Sequence, residues 1–222
     1  AFIAHEFNLK KGTRDQNCPP MTIIRLGTSG GIQLDVTPGS LIISSYALGL
    51  DTTGIYYDQP TKDETIKRIE EDSAEILNNA IDNSSRFKGK IFPYASKAST
   101  EVTNALIHQA QISGLEFDTG ITVSSPGFYG PSSRIIDGLK NTIPDIKGSL
   151  SELNINGLKA HNMEMESSLL FHLCAQMGYR AGTICTVISG PTESDSIIDY
   201  EVAIGNTINI GLKALVELNN SK

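Results

Sequence analysis

Four short apolar runs, each closing on glycine, serine or proline, decide what this chain can fold into. They are residues 21–31, 39–48, 117–125 and 180–189. Runs of this length, rich in Ile, Val and Thr and bounded by turn residues, read as strands. The segments between them have helical spacing. Residues 63–82 put Ile66, Ile69, Ser73, Ile76, Leu77 and Ala80 on one face and leave an acidic, solvated face opposite. Ser99 can cap a helix through Ile112, with Gly114 ending it. Residues 149–160 read as helical, residues 169–175 as a buried helix stopped by Gly178, and residues 204–216 as a closing helix. Strands interleaved with helices point to an α/β fold. No repeat or linker divides the chain, so residues 1–222 read as one domain.

Composition narrows the function. The net charge of −7 argues against a general nucleic-acid binder, which needs basic patches for the phosphate backbone. No apolar run approaches the roughly 18 residues of a membrane span, and the start carries no signal peptide pattern. The three cysteines, Cys18, Cys174 and Cys185, are far apart and odd in number, without zinc-type spacing. Cys174 and Cys185 sit in apolar stretches and read as small core residues. The four histidines, His5, His108, His161 and His172, are scattered and read as structural or surface groups. These features together suggest a cytoplasmic protein. Residues 1–7 look like the end of a helix, so earlier residues are expected.

Chemistry collects at three places. Arg25 lies inside an apolar strand, where a guanidinium needs an anion or a carboxylate partner. Thr28, Ser29 and Gly30 then put hydroxyls and bare backbone at the strand end, where α/β sheets bind ligands. A phosphate held there fits, and so does a structural carboxylate. The turn is not a P-loop, because Gly-Lys-Ser/Thr is missing. Phe128, Tyr129 and Arg134 occupy a loop with two prolines and two glycines, read either as a stacking platform for a flat ligand or as aromatics packing back on the core. Glu164 and Glu166 flank Met165 where the helix 169–175 begins. In an extended lead-in they point the same way. They are either capping carboxylates or a carboxylate in an apolar wall that accepts hydrogen bonds from a polyol.

The motifs Arg-Leu-Gly-Thr-Ser-Gly at 25–30, Ser-Ser-Pro-Gly-Phe-Tyr-Gly-Pro-Ser-Ser-Arg at 124–134 and Asn-Met-Glu-Met-Glu-Ser at 162–167 occur in this order. With residues 178–187, the set resembles the uridine phosphorylases of the nucleoside phosphorylase-I family. The resemblance implies a single α/β domain with a mixed, partly barrel-like sheet flanked by helices. It implies reversible phosphorolysis of uridine, or a related pyrimidine nucleoside, to free base and ribose 1-phosphate. Phosphate is a co-substrate and no organic cofactor is implied. Arg25 and Thr28 match phosphate-holding positions, and Met165 and Glu166 match the ribose wall. Ser29, Gly30, Phe128, Ser132, Arg134, Ile188 and Ser189 match base-pocket positions. Arg25 and Glu166 would carry the catalysis. Glu164 matches a glutamate that in some members helps hold a monovalent cation such as K⁺ between subunits. Self-association as a dimer or a hexamer of dimers is implied as well.

The chain departs from that pattern in two places. Ser132 stands where the family usually has a Gln that reads uracil through paired amide bonds, which Ser cannot reproduce. Pro191 stands near the position of a second base-pocket arginine. The purine branch's Asp is absent from residues 187–191, and Glu193 and Asp195 are out of register. The family's first strands, with a glycine-and-arginine phosphate segment, would precede residue 1. Two alternatives therefore stand beside the main reading: a phosphorylase with a shifted base preference, and a catalytically silent nucleoside-binding or storage-like relative.

Overall fold

The computed structural model describes residues 21–58, 63–190 and 199–220. The strands are β1 (Thr22–Gly31), β2 (Leu41–Gly49), β3 (Tyr94–Lys97), β4 (Phe117–Ser124), β5 (Asn154–Ile155), β6 (Leu158–Glu164) and β7 (Arg180–Ser189). The helices are α1 (Glu64–Asn79), α2 (Thr100–Ile112), α3 (Ile146–Ser151), α4 (Ser167–Gln176) and α5 (Tyr200–Asn220).

Five strands close into a small barrel in the order β1-β7-β2-β4-β6, with β6 returning to β1. β1–β7, β2–β4 and β4–β6 are parallel, while β7–β2 and β6–β1 are antiparallel. The closing pair is short, matching Gly30 with Met163 and Gly31 with Asn162. Register shifts at Ser29/Gly30, Ser44/Tyr46 and Ile121/Thr122 supply the bulges that let so few strands curl. β3 extends the sheet from β2, and β5 from β6.

Helices cover the barrel on several sides. Leu48, Ile69, Leu77, Ile121, Val123 and Leu150 form one apolar layer beneath α1 and α3. Leu41, Ile43, Val102, Leu106, Ile184, Ile210 and Ala214 form a second beneath α2 and α5. Ala47, Phe171, Cys174 and Ala181 form a third beneath α4. Burial of each large side chain contributes about 1.5–3 kcal/mol. Between the strands runs a polar belt: Ser44 Oγ lies 2.6 Å from Thr122 Oγ1, Thr122 donates to Asn162 Oδ1 at 2.8 Å, and Asn162 Nδ2 donates to Ser29 Oγ at 2.9 Å. The belt crosses β2, β4, β6 and β1 in ring order, and its members are buried.

The expected α/β architecture with a partly barrel-like sheet and flanking helices is present, and its four strands lie where the sequence places them. The helix expected over residues 149–160 is not. Only Ile146–Ser151 is helical, and the chain then turns through a hairpin, β5 to β6. Asn156 and Gly157 form its two-residue loop, both at positive φ (56° and 94°). That is the Asn-Gly signal of a type I′ hairpin, which outweighs the helical spacing around it. β3 was not anticipated. The first helix is shorter than expected and the closing helix longer. Residues 1–7, Cys18, Pro191, Glu193 and Asp195 lie outside the described residues. No helix among the described residues is long and apolar enough to cross a membrane.

Asn162→Ala cuts the belt in the middle and leaves Thr122 and Ser29 without their buried partner. A loss of about 1–3 kcal/mol is expected, read as a lower urea midpoint at unchanged m-value.

Candidate functional site

The carboxyl ends of β1, β6 and β7 and the loop after β4 meet around one cavity of about 300 Å³. β1 contributes Arg25, Thr28, Ser29 and Gly30, and β7 contributes Ile188 and Ser189. β6 and its exit contribute Met163, Glu164, Met165 and Glu166, and the loop contributes Phe128, Ser132 and Arg134. Lys147 enters from α3. Every residue that the resemblance assigns to phosphate, ribose or base is in this lining, and so is Glu164, whereas Tyr129 of the aromatic loop is not. Met163 and Lys147 are the additions. Lys147 follows no motif in the sequence, and only the packing of α3 against the loop brings it in. His108, His161 and His172 are not in the lining.

Arg25 organises one end. Its Nη2 contacts Glu166 Oε2 and sits 3.2 Å from Glu164 Oε2, and its Nη1 donates to Cys185 Sγ at 3.0 Å. The guanidinium folds back over its own strand. A Cβ at Gly27 would lie 2.2 Å from Nη1, so the bare backbone at Gly27 is what admits this pose. Burial acts to lower the Arg25 pKa, but the neighbouring thiol and the two carboxylates outweigh it and hold the value above the ordinary one. Burial pushes the Cys185 thiol up to about 12 and Arg25 only partly offsets this, which makes Cys185 a neutral wall and not a nucleophile.

The two glutamates divide the alternatives left open by the sequence. Glu164 is buried, with its side chain only 1% exposed. It accepts from Ser124 Oγ at 2.6 Å and from the Glu166 and Ser167 amides at 3.0 and 3.1 Å. It therefore caps α4 and neutralises Arg25 at once. Glu166 is the second residue past β6 and the N-cap of α4, and its side chain is 60% exposed. It is the open carboxylate, with Met165 beside it. The lead-in is extended as far as Glu164, and both carboxylates converge on Arg25.

The far wall is a loop that holds itself. Arg134 stacks 3.6 Å over the Phe128 ring centroid and donates to Phe128 O at 2.6 Å. Phe128 and Tyr129 meet edge to face with centroids 5.4 Å apart. Phe128 is 54% exposed, so it is not packed into the core. Ser132 Oγ donates to Gly127 O at 2.9 Å. Ser133, in the left-handed region (φ 58°), accepts the Ile146 amide at 2.7 Å and fastens the loop to α3. Ser29 Oγ accepts from Asn162, which leaves its own proton to donate.

The sequence profile of the Phosphorylase superfamily matches residues 12–215. The chain belongs to that superfamily. It is 28% identical over 186 residues to a uridine phosphorylase of Haemophilus influenzae, covering 84% of this chain and 60% of the relative. It is 30% identical over 168 residues to a Thermococcus kodakarensis uridine phosphorylase, covering 76% of this chain and 48% of that one. A purine nucleoside phosphorylase of Dichelobacter nodosus is 25% identical over 98% of this chain and 88% of its own. The chain thus spans about half to three fifths of the length of the two uridine phosphorylases. Among solved structures, a Trypanosoma brucei nucleoside phosphorylase described as showing uridine phosphorylase activity superposes with a TM-score of 0.76. The match is 26% identical and covers 93% of this chain and 69% of that one.

Gly27→Ala is expected to push Arg25 off both glutamates and leave Glu164 a buried carboxylate without its counter-ion, read as a stability loss of about 3–5 kcal/mol in urea unfolding. Native Cys185 is expected to resist iodoacetamide at pH 8 and to react fully in denaturant, checked by peptide mass spectrometry.

Proposed function

We propose that the protein is a nucleoside phosphorylase acting on uridine or a related pyrimidine nucleoside, with phosphate as the attacking group. The observation that carries this reading is the Arg25–Glu166 contact at the cavity mouth. A partly buried, carboxylate-supported guanidinium offers a fork for phosphate, and the exposed partner offers an acceptor for ribose hydroxyls. In the resting protein the two groups satisfy each other. Phosphate on Arg25 and Thr28 displaces Glu166, which is then released to take the ribose hydroxyls beside Met165. Glu164 stays behind Arg25 and keeps its orientation.

The chemistry follows from this arrangement. As the glycosidic bond lengthens, positive charge builds on the ribose between the bound phosphate and Glu166. A phosphate oxygen forms the new bond to the anomeric carbon, and the electron pair of the C–N bond leaves with the base. No protein nucleophile is needed, and positioning supplies much of the rate. The Glu164 oxygens face an amide pair, a hydroxyl and a guanidinium, so within this chain they do not form a cation's oxygen cage. Self-association as a dimer or hexamer belongs to the same proposal and is checked by sedimentation equilibrium.

A shifted base preference is the second reading, and Ser132 favours it. Its hydroxyl is turned to the Gly127 carbonyl, and a serine cannot mimic an amide edge. The deciding assay is base release from a panel of nucleosides with and without phosphate. Phosphate-dependent uracil release is the expected result. Release of a different base moves the protein to the second reading, release without phosphate makes it a hydrolase, and no release makes it a silent relative.

Glu166→Gln is expected to lower kcat/KM for the nucleoside by about 100-fold. Phosphate affinity in the absence of nucleoside should hold or rise, because the competing carboxylate is gone. A fall in phosphate affinity would contradict the displacement described above.

A further inference from the structure

We propose that Ser124, fully buried at the end of β4 and outside the cavity lining, is a positioning residue for phosphate: it holds one Glu164 oxygen away from Arg25 and so keeps the guanidinium open to an anion. This rests on the phosphorylase reading and deepens it, by naming what sets the affinity of Arg25 for phosphate.

The Glu164 carboxylate is divided between two duties. Its Oε1 accepts from the Ser124 hydroxyl at 2.6 Å and from the Ser167 amide at 3.1 Å. Its Oε2 accepts from the Glu166 amide at 3.0 Å and the Ser167 amide at 3.1 Å, and lies 3.2 Å from Arg25 Nη2. Arg25 thus meets Glu164 through one oxygen, while its own hydrogen bonds run to Cys185 and Glu166. A carboxylate with both oxygens free pairs with a guanidinium fork to fork. Such a pairing would occupy the donors that phosphate needs.

Ser124 is placed to prevent it. A hydroxyl carries one proton and a carboxylate only accepts, so in this contact Ser124 donates. Its oxygen accepts from the Ser168 amide at 2.9 Å, which bridges Glu164 to the start of α4. The neighbouring hydroxyls are committed elsewhere. Ser125 Oγ donates to Gly127 O at 2.8 Å, Ser167 Oγ to Thr183 Oγ1 at 3.0 Å, and Ser168 Oγ to Asp51 Oδ2 at 3.0 Å. Without Ser124, Oε1 keeps the Ser167 amide, which it shares with Oε2. The carboxylate then turns toward Arg25 and competes with phosphate for it.

Tyr94 supplies the contrast. It supports the same end of α4 without bonding Glu164: its hydroxyl donates to Asp51 Oδ2 at 2.9 Å, and Asp51 accepts from Ser168 Oγ. Tyr94 is buried, so losing its hydroxyl injures the same region by the loss of a buried hydrogen bond. The comparison separates a weakened helix end from a misdirected Glu164.

The test is calorimetric titration with inorganic phosphate, without nucleoside, on wild type, Ser124→Ala, Ser124→Thr and Tyr94→Phe. The Kd of Ser124→Ala is expected to rise about tenfold or more, and Ser124→Thr, which keeps the donor, to stay within about threefold of wild type. Tyr94→Phe should lower the melting temperature by about 2–8 °C and leave the phosphate Kd unchanged. In turnover with uridine, the KM for phosphate of the Ala variant should rise while the KM for uridine at saturating phosphate holds. If the Ala variant does not fold, Ser124→Cys, similar in size and weak as a donor, replaces it with the same expectation. An unchanged Kd in the Ala variant, an equal loss in Tyr94→Phe or Ser124→Thr, or no phosphate binding by wild type overturns the proposal. If wild type binds phosphate and yet releases no base from any nucleoside, the phosphorylase reading fails by itself, and the titration still decides the role of Ser124.

Discussion

A guanidinium inside a barrel strand must be neutralised where it stands, and much of this molecule is arranged to do that. Arg25 leaves β1 in a region where burial penalises charge. Glu164 answers it from the end of β6, where Ser124 and the amides of Glu166 and Ser167 hold its oxygens. Removing either partner would strand a buried charge, a loss of about 3–5 kcal/mol in comparable buried pairs. The pair therefore ties the ends of β1, β4 and β6 to the start of α4. Glu166 is the surplus carboxylate of this arrangement. Its carboxylate is open to solvent and tied to Arg25, as the proposed exchange of partners requires.

The barrel explains why these groups converge. β1 and β6 run antiparallel and pair only at their last residues, so the Arg-Leu-Gly-Thr-Ser-Gly and Met-Glu-Met-Glu stretches are brought face to face although they are far apart in the chain. The Asn162–Ser29 bond reinforces that corner from within the polar belt. Small residues at the corner leave space: Gly27 admits the guanidinium and Gly30 admits Lys147. The cavity is the gap left where strands that end in glycine and serine cannot fill the space between them.

Much of this was legible from residues alone. The four main strands carry runs of β-branched residues bounded by turns, and their ends were readable as the place where ligands bind. The Arg25, Phe128–Arg134 and Glu164–Glu166 stretches each combine charge with apolar surroundings, and all line the same cavity. Apolar residues at helical spacing predict a helix through Asn156-Gly157, where the Asn-Gly turn chemistry makes a hairpin instead. Of the shared duty of Glu164, capping was one of the two options the sequence offers, beside a carboxylate for a polyol; its pairing with Arg25 was not readable, since local sequence does not say which donors will be near.

What the sequence determined by itself is therefore the alternation of strands and helices, the identity of the charged groups and their position at strand ends. These follow from side-chain periodicity and turn propensity, which are local. The tertiary structure alone decided which carboxylate is buried and which is open, that Arg134 holds Phe128, that Ser132 faces its own loop, and that Lys147 joins the lining. Each of those depends on contacts between residues distant in the chain. Such contacts are set by the register shifts and closure of the barrel, for which no short stretch of sequence carries a signal.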